Sequence, residues 1–315
     1  MNGLSTKRCD NLISGKKDIN LGISVNISSN HLLSPSFVED LECHLAEYSA
    51  NHAKNLQLEI LESSAFGDIN TLHHIVEICQ NRLGVSFALD DFGTGYSSLT
   101  HLRRLSVNTI KIDQSFVRDM LDDPNDYTII EGVITLTKLF KRSVIAEGVE
   151  SQDHGLMLLL MGCEQAQGYQ IAKPMPEKDF IIWLNNYTAN KAWLSCAKKQ
   201  GSNNEVRLDI FRMINEKWIE KFKSKLASQP EERKPWPILD PLFCQCGNWI
   251  DREKQEQHFK QEDLKQLEQA HDKLHDIADV IHKNYQQGDL VEARADLGRL
   301  EGIVQQVQKI EKACR

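Results

Sequence analysis

Residues 87–99 read Phe-Ala-Leu-Asp-Asp-Phe-Gly-Thr-Gly-Tyr-Ser-Ser-Leu, and the fold turns on how they are read. The apolar run Val85 to Leu89 has the composition of a buried strand. It ends in two adjacent acids, Asp90 and Asp91, and then in a turn holding Gly93 and Gly95 followed by two serines. Carboxylates are hard oxygen donors suited to divalent cations. Glycines let backbone N–H groups approach an anion. A strand that closes on paired acids and opens into a glycine turn therefore suits a metal and a phosphate. The plainer reading is a strand ended by an acidic turn. Gly93 and Gly95 lack the third glycine of a dinucleotide-binding fingerprint.

The same kind of strand recurs on both sides. Candidate strands are Leu21–Ile27, Leu56–Ile60, Val85–Leu89, Thr109–Ile112, Val144–Ala146 and Ala166–Ile171. Amphipathic helix candidates alternate with them, at Phe37–Tyr48, Ile69–Leu83, Tyr127–Phe140 and Gln152–Met161. Such alternation indicates a parallel α/β sheet. Each strand carries a polar group at or near its end: Asn26, Glu59, Asp90 with Asp91, Lys111, Glu147 and Gln167. One acid at a strand end is usually a turn residue or a helix cap. A polar group on six consecutive strands instead matches a (β/α)₈ barrel, whose active site gathers at the C-terminal ends of its strands. A doubly wound open sheet would instead concentrate the site at a switch point. About six strands are countable where a barrel of this type has eight and about 250 residues, so the expectation is an incomplete TIM-type barrel.

Asn26, Glu59, Asp90 and Asp91 offer one amide oxygen and three carboxylates, a set that fits Mg²⁺ or Mn²⁺ better than zinc. Paired metals would polarise a phosphodiester and generate hydroxide at neutral pH. In that arrangement Lys111 holds the water or neutralises developing charge, and Glu147 completes the metal shell. The plainer alternative pairs Lys111 with Asp113 at the strand end.

The rest of the chain reads differently. After Pro174 and Pro176 comes one helix candidate, Lys178–Trp193, then a polar linker in Lys198–Asn204. From Glu205 the pattern is helical, broken at Gln229–Pro241 by four prolines. Asp263–Tyr285 and Leu290–Lys312 are long helix candidates separated by Gln-Gly-Asp. The organisation expected is a barrel over 1–195, a linker at 196–204 and an all-α four-helix bundle over 205–315. Within the bundle, His271 and His275 stand at i and i+4, on one helical face, downstream of Cys244-Gln-Cys-Gly-Asn-Trp249. Cysteine and histidine together favour zinc, which makes Cys244, His271 and His275 candidate ligands. A solvated histidine pair is the plainer reading.

The chain has 315 residues, 41% hydrophobic and 26% charged, with a net charge of −8. That balance argues against generic binding to a nucleic-acid polymer through a basic surface. No apolar run approaches the roughly 20 residues of a membrane helix. Leu12 and Ile13 are isolated among polar residues, unlike a signal peptide. The expected location is the cytoplasm, where the eight scattered cysteines stay reduced.

Two resemblances add to this reading. The segments Ser-Val-Asn-Ile-Ser (24–28), Leu-Glu-Ile-Leu-Glu (58–62), Asp-Asp-Phe-Gly-Thr-Gly-Tyr-Ser-Ser-Leu (90–99), Ile-Lys-Ile-Asp (110–113), Ile-Ala-Glu-Gly-Val-Glu (145–150) and Gln-Gly-Tyr (167–169), with Pro174, run in order. Together they resemble the EAL-type phosphodiesterases. The resemblance implies hydrolysis of cyclic di-GMP to pGpG with Mg²⁺ or Mn²⁺. It implies metal ligands at Asn26, Glu59 and Asp90, with Asp91 serving a second metal. It implies Lys111 as the residue positioning water, Glu147 near the metals and Gln167 in the site. Glu62 would anchor the glycine loop and Glu150 would contact substrate or that loop, with Asp113 closing the Ile-Lys-Ile-Asp segment beside them. The Glu-Ala-Leu tripeptide that names the family is absent, as is the arginine that follows it. Both belong to the strand before that of Asn26, which would fall ahead of Met1. The expectation is therefore an N-terminally truncated domain, either a fragment of a longer protein or a degenerate member, with impaired hydrolysis. The alternative is a catalytically inactive protein that binds cyclic di-GMP or a protein partner.

The second resemblance covers about 205–312 and is to the chemoreceptor zinc-binding domain, a bundle holding zinc with three histidines and one cysteine. It implies zinc- or redox-dependent regulation and a homodimer. The position of that family's first histidine holds Asn215, leaving Cys244, His271 and His275, with Cys246 as the alternative fourth donor.

Overall fold

The structure is a computed structural model. It describes residues 21–47, 53–62, 69–95, 102–198, 202–228 and 234–314. The tail of the opening stretch, Tyr96 to Leu99, lies outside the described residues, as do Leu12 and Ile13. The chain divides into two compact units. One is drawn from residues up to 118, 129–152 and 162–190, the other from 119–128, 153–161 and 191 onward.

The first unit is built on six parallel strands in the order β1-β2-β3-β4-β5-β6. They are β1 (Ile23–Ile27), β2 (Leu56–Leu61), β3 (Ser86–Phe92), β4 (Thr109–Ile112), β5 (Ser143–Ala146) and β6 (Gln165–Ala166). Sequential order with helical crossovers is the α/β arrangement expected from the alternation. Among the described residues, β1 and β6 are the outer strands. The helices that follow these strands in sequence include α1 (Phe37–Ala46), α2 (Ile69–Ile78), α3 (Gln114–Asp119), α4 (Pro124–Leu139) and α5 (Gln152–Met161), of which 119–128 and 153–161 are counted with the second unit. Phe87, Leu89, Ile60, Ile110 and Ile112 are fully buried, as strands covered on both faces require.

Several elements depart from the sequence expectation. The strand expected at Ala166–Ile171 is only Gln165–Ala166. Beyond it the backbone turns, with Ile171 and Ala172 N–H both donating to the Gly168 carbonyl. The helix expected over Ile69–Leu83 ends in one wider π turn, Cys79–Leu83, before left-handed Gly84. The single helix expected over Lys178–Trp193 is two, α6 (Glu177–Asn186) and α7 (Lys191–Lys198). The break falls at Tyr187, which takes extended backbone angles, and the Asn190 side chain donates to Gln152 instead of continuing a helix.

The second unit is helical. Its long elements are α8 (Asn203–Ala227), α9 (Gln245–Glu256) and α10 (Gln261–Gln286). The stretch 290–312, expected as one helix, is α11 (Leu290–Ala295) and α12 (Leu297–Ala313), interrupted at Asp296, whose carboxylate pairs with Arg299 at 2.9 Å. A Ser202–Glu205 capping box starts α8. Phe222 and Leu226 on α8 pack with Leu274, Ala278 and Ile281 on α10 and with Leu300 on α12.

Candidate active site and metal centres

Side chains two apart on a strand share a face, and this rule assembles the first site. Register sets Asn26 beside Glu59 across β1 and β2. At β3 the pairing with β4 slips between Leu89 and Phe92, and Asp91 adopts φ 55. An irregularity of this kind re-aims side chains at the end of a strand. Here it leaves Asp90 buried and Asp91 half-buried, with one oxygen of each and one of Glu147 within 4.8 Å of one another.

Lys111 is the hub. Its Nζ lies 2.8 Å from Glu59 Oε2, 2.8 Å from Asp90 Oδ1 and 2.5 Å from Glu147 Oε1. Its partners are therefore these three acids and not Asp113, the partner of the plainer sequence reading. Asp113 instead accepts from Ser115 N at 2.9 Å and caps the following helix. Burial lowers the proton affinity of Lys111, but its bonds to Asp90, Glu147 and Glu59 outweigh this, and the net shift is upward. Lys111 is therefore a fixed cation. Burial raises the Asp91 carboxyl, and Asp90 and Asp113 raise it further, the latter also by a hydrogen bond. Glu147 is also raised, first by burial and then by Asp90 and Asp91, against the opposing pull of Lys111.

Gln167 Nε2 donates to Glu147 Oε1 at 2.7 Å, which brings the sixth strand into the cluster. Glu62 is fully buried, and its Oε2 accepts from Gly93 N at 3.0 Å and Gly95 N at 3.3 Å, so it does hold the glycine turn. Glu150 is exposed and forms no ion pair among the described residues. Two features went unread in the sequence. Phe116 backs the turn: a Cβ on Gly93 (φ +106) would lie 2.8 Å from its ring. One layer below the acids, Ser24 Oγ donates to Gln57 Oε1 at 3.2 Å and Gln57 Nε2 to Thr109 Oγ1 at 3.0 Å. Each lies two residues before Asn26, Glu59 and Lys111, a spacing that could have revealed the row.

These residues fit a hard divalent cation. The donors are oxygens, three acids converge, and two of them are raised first by burial and then by neighbouring carboxylates, whose repulsion a cation would relieve.

The second cluster is soft. Cys244 caps the N-terminus of α9, and its Sγ accepts from Gly247 N at 3.2 Å. Its Sγ is 3.0 Å from His271 Nε2. The rings of His271 and His275 are 4.6 Å apart. The three residues are buried, and one ligand atom from each falls within 4.8 Å of the others. His275 Nδ1 lies 2.5 Å from the Leu239 carbonyl. A carbonyl only accepts, so that nitrogen carries the proton and Nε2 keeps its lone pair, an arrangement typical of ligating histidines. Burial lowers both histidines, His271 to about 3 with a smaller contribution from His275, while the Cys244 thiol is raised to about 11 by burial. Neutral imidazoles around one thiol fit zinc. A Cβ on Gly247 would lie 1.9 Å from the Pro241 carbonyl, so that close approach requires glycine.

A parallel sheet with acids and one lysine gathered at its strand ends defines an α/β domain with a charged cluster at that end of the sheet. The EAL domain family model matches residues 6–174, and the chain belongs to that family. It is similar to the cyclic di-GMP phosphodiesterase PdeR of Escherichia coli, 37% identical over 172 residues, covering 54% of this chain and 26% of PdeR. It is also similar to the cyclic di-GMP phosphodiesterase NbdA of Pseudomonas aeruginosa, 35% identical over 172 residues, covering 55% of this chain and 22% of NbdA. The chain thus spans about a quarter of the length of these relatives. Among solved structures, the EAL domain of Mycobacterium smegmatis DcpA matches with a TM-score of 0.55 and 33% identity, covering 59% of this chain and 82% of that domain. The PaMucR phosphodiesterase in complex with c-di-GMP matches with a TM-score of 0.50 and 31% identity, covering 56% and 69%. Among the described residues, no helix is long and apolar enough to cross a membrane.

Proposed function

We propose that the first unit hydrolyses cyclic di-GMP to the linear dinucleotide pGpG with Mg²⁺ or Mn²⁺. The observation that carries this is Lys111 at the centre of Glu59, Asp90 and Glu147, with Asp91 beside them. Asn26, Glu59, Asp90 and Asp91 would hold the cation. Bound there, it would neutralise phosphodiester charge and make water a better nucleophile. Lys111, held protonated, orients an anion or a water and is no base. Glu147 gives up its proton at higher pH than an ordinary carboxyl and is the group able to exchange one with the reacting water. Gln167 fixes the rotamer of Glu147, and Glu62 holds the turn that carries Asp91. In the reaction, water oxygen adds to phosphorus, one P–O bond breaks and the departing ribose oxygen takes a proton.

The test is turnover of cyclic di-GMP by the purified chain in Mn²⁺, beside Asp90→Ala. Formation of pGpG that disappears in the variant supports the reading; a folded chain with no turnover refutes it. The match to the PaMucR phosphodiesterase in its c-di-GMP complex supports a second reading as well, a protein that binds cyclic di-GMP without cleaving it. Saturable binding by equilibrium dialysis with no pGpG would establish that one.

The second unit is read as a four-helix regulatory bundle that takes zinc on Cys244, His271 and His275. Zinc retained through dialysis at one equivalent per chain, and lost in His271→Gln, is the expected result.

A further inference from the structure

We infer that a metal on Cys244, His271 and His275 keeps one coordination position for a small donor from solution. This rests on the zinc reading above and extends it. Closed structural zinc sites take four protein ligands, whereas sites with three leave a position for an exchangeable one. Here three donors converge among the described residues. Beside Cys244 there is space not filled by protein. A cavity of about 30 Å³ is lined by Ile214, Trp218, Ile238, Cys244 and Cys246. It borders Cys244 directly, and its Trp218 wall packs against His275 with ring centres 4.9 Å apart. That volume holds a water or a small anion.

The walls are fixed. Trp218 Nε1 donates to the Ile238 carbonyl at 2.7 Å, and the next carbonyl, that of Leu239, is taken by His275. The segment 238–239 thus ties the cavity wall and one ligand together. Asn215 lies between Ile214 and Trp218 on α8 and is 4% exposed; residues three apart share a helix face, which puts it on the face of Trp218. Cys246 is fully buried next to Cys244 and is the protein group that would compete for the position.

The experiment uses the full chain, stripped of metal and loaded with Co²⁺, with Cys244→Ser as the spectral blank. Thiolate-to-cobalt charge-transfer absorption in the chain and its loss in Cys244→Ser would report the three-ligand site. Titration with sodium azide should then shift the cobalt d–d bands saturably. Asn215→His, which offers a protein donor for the same position, should abolish the azide shift while keeping the charge-transfer band. Charge transfer with d–d bands that azide leaves unmoved would overturn the open position and leave the zinc reading standing. Absence of charge transfer in a folded chain would overturn both. If azide moves the bands only in Cys246→Ala, Cys246 is the fourth ligand and the inference fails.

Discussion

The two clusters solve one problem in opposite ways. The first unit gathers charge: three carboxylates face one lysine, and Asp91 crowds them. The second unit gathers neutral donors, two imidazoles and a thiol kept uncharged by burial. The first site is thus bound together by Coulomb attraction in a poorly solvated place, the second by packing and by backbone hydrogen bonds to Gly247 and Leu239. A charged cluster must be balanced at all times, so the loss of one member is severe. A neutral cluster tolerates lacking its metal but not being protonated.

The sharpest way to break this contrast is Lys111→Met. It leaves Glu59, Asp90 and Glu147 buried without their cation, and breaking a buried pair by removing one partner costs about 3–5 kcal/mol. Urea unfolding should show that loss, with partial recovery in Mn²⁺; an unchanged midpoint would mean the acids do not depend on the lysine. Next comes Glu62→Ala, which orphans the Gly93 and Gly95 N–H groups. A loss of about 1–3 kcal/mol is expected, together with weaker Mn²⁺ binding by isothermal titration as Asp91 loosens. In the second unit, Gly247→Ala drives a methyl onto the Pro241 carbonyl. Overpacking of this kind costs about 1–3 kcal/mol, and stoichiometric zinc retention should fall with it.

Acidity separates the units by sign. His271 titrates near 3 when folded against an ordinary 6.5, so between those values the unfolded chain binds a proton that the folded one does not. The second unit is fully stabilised above 6.5 and loses stability as pH falls toward 3. Asp91 and Glu147 are shifted upward from 3.8 and 4.5. Their contribution runs the other way: it is favourable to the fold at low pH and is lost as pH rises through the raised values. In the metal-free chain, hydrogen exchange followed segment by segment should show α10 opening on acidification before β3 does. Simultaneous opening would erase the distinction.

Much of this was legible in the sequence because strands of the first unit are marked twice, by apolar runs and by polar ends. Glu59, Asp90, Lys111, Glu147 and Gln167, which the structure brings together, sit where the rule that sites lie at strand ends looks for them. His271 and His275 could be paired by helical spacing. What could not be read depends on backbone detail. Gln165–Ala166 is short because the chain turns at Gly168, and nothing in Gln-Gly-Tyr-Gln announces that. The halt at Tyr187 and the interruption at Asp296 occur where side chains bond locally rather than where a proline or glycine signals. Lys111 was given Asp113 as its plainer partner because the two are neighbours in sequence, yet they follow each other off the strand end and its true partners arrive from three other strands.

Asp91 carries a further consequence. A non-glycine residue at φ 55 gives up about 1 kcal/mol of backbone freedom from strain, and its carboxyl is repelled by two neighbours. Replacement by glycine would relieve both and should raise the melting temperature of the first unit while weakening its hold on a divalent cation. Asp91 thus sets the ease of the backbone against the supply of an oxygen donor, and the two cannot be improved together at this position.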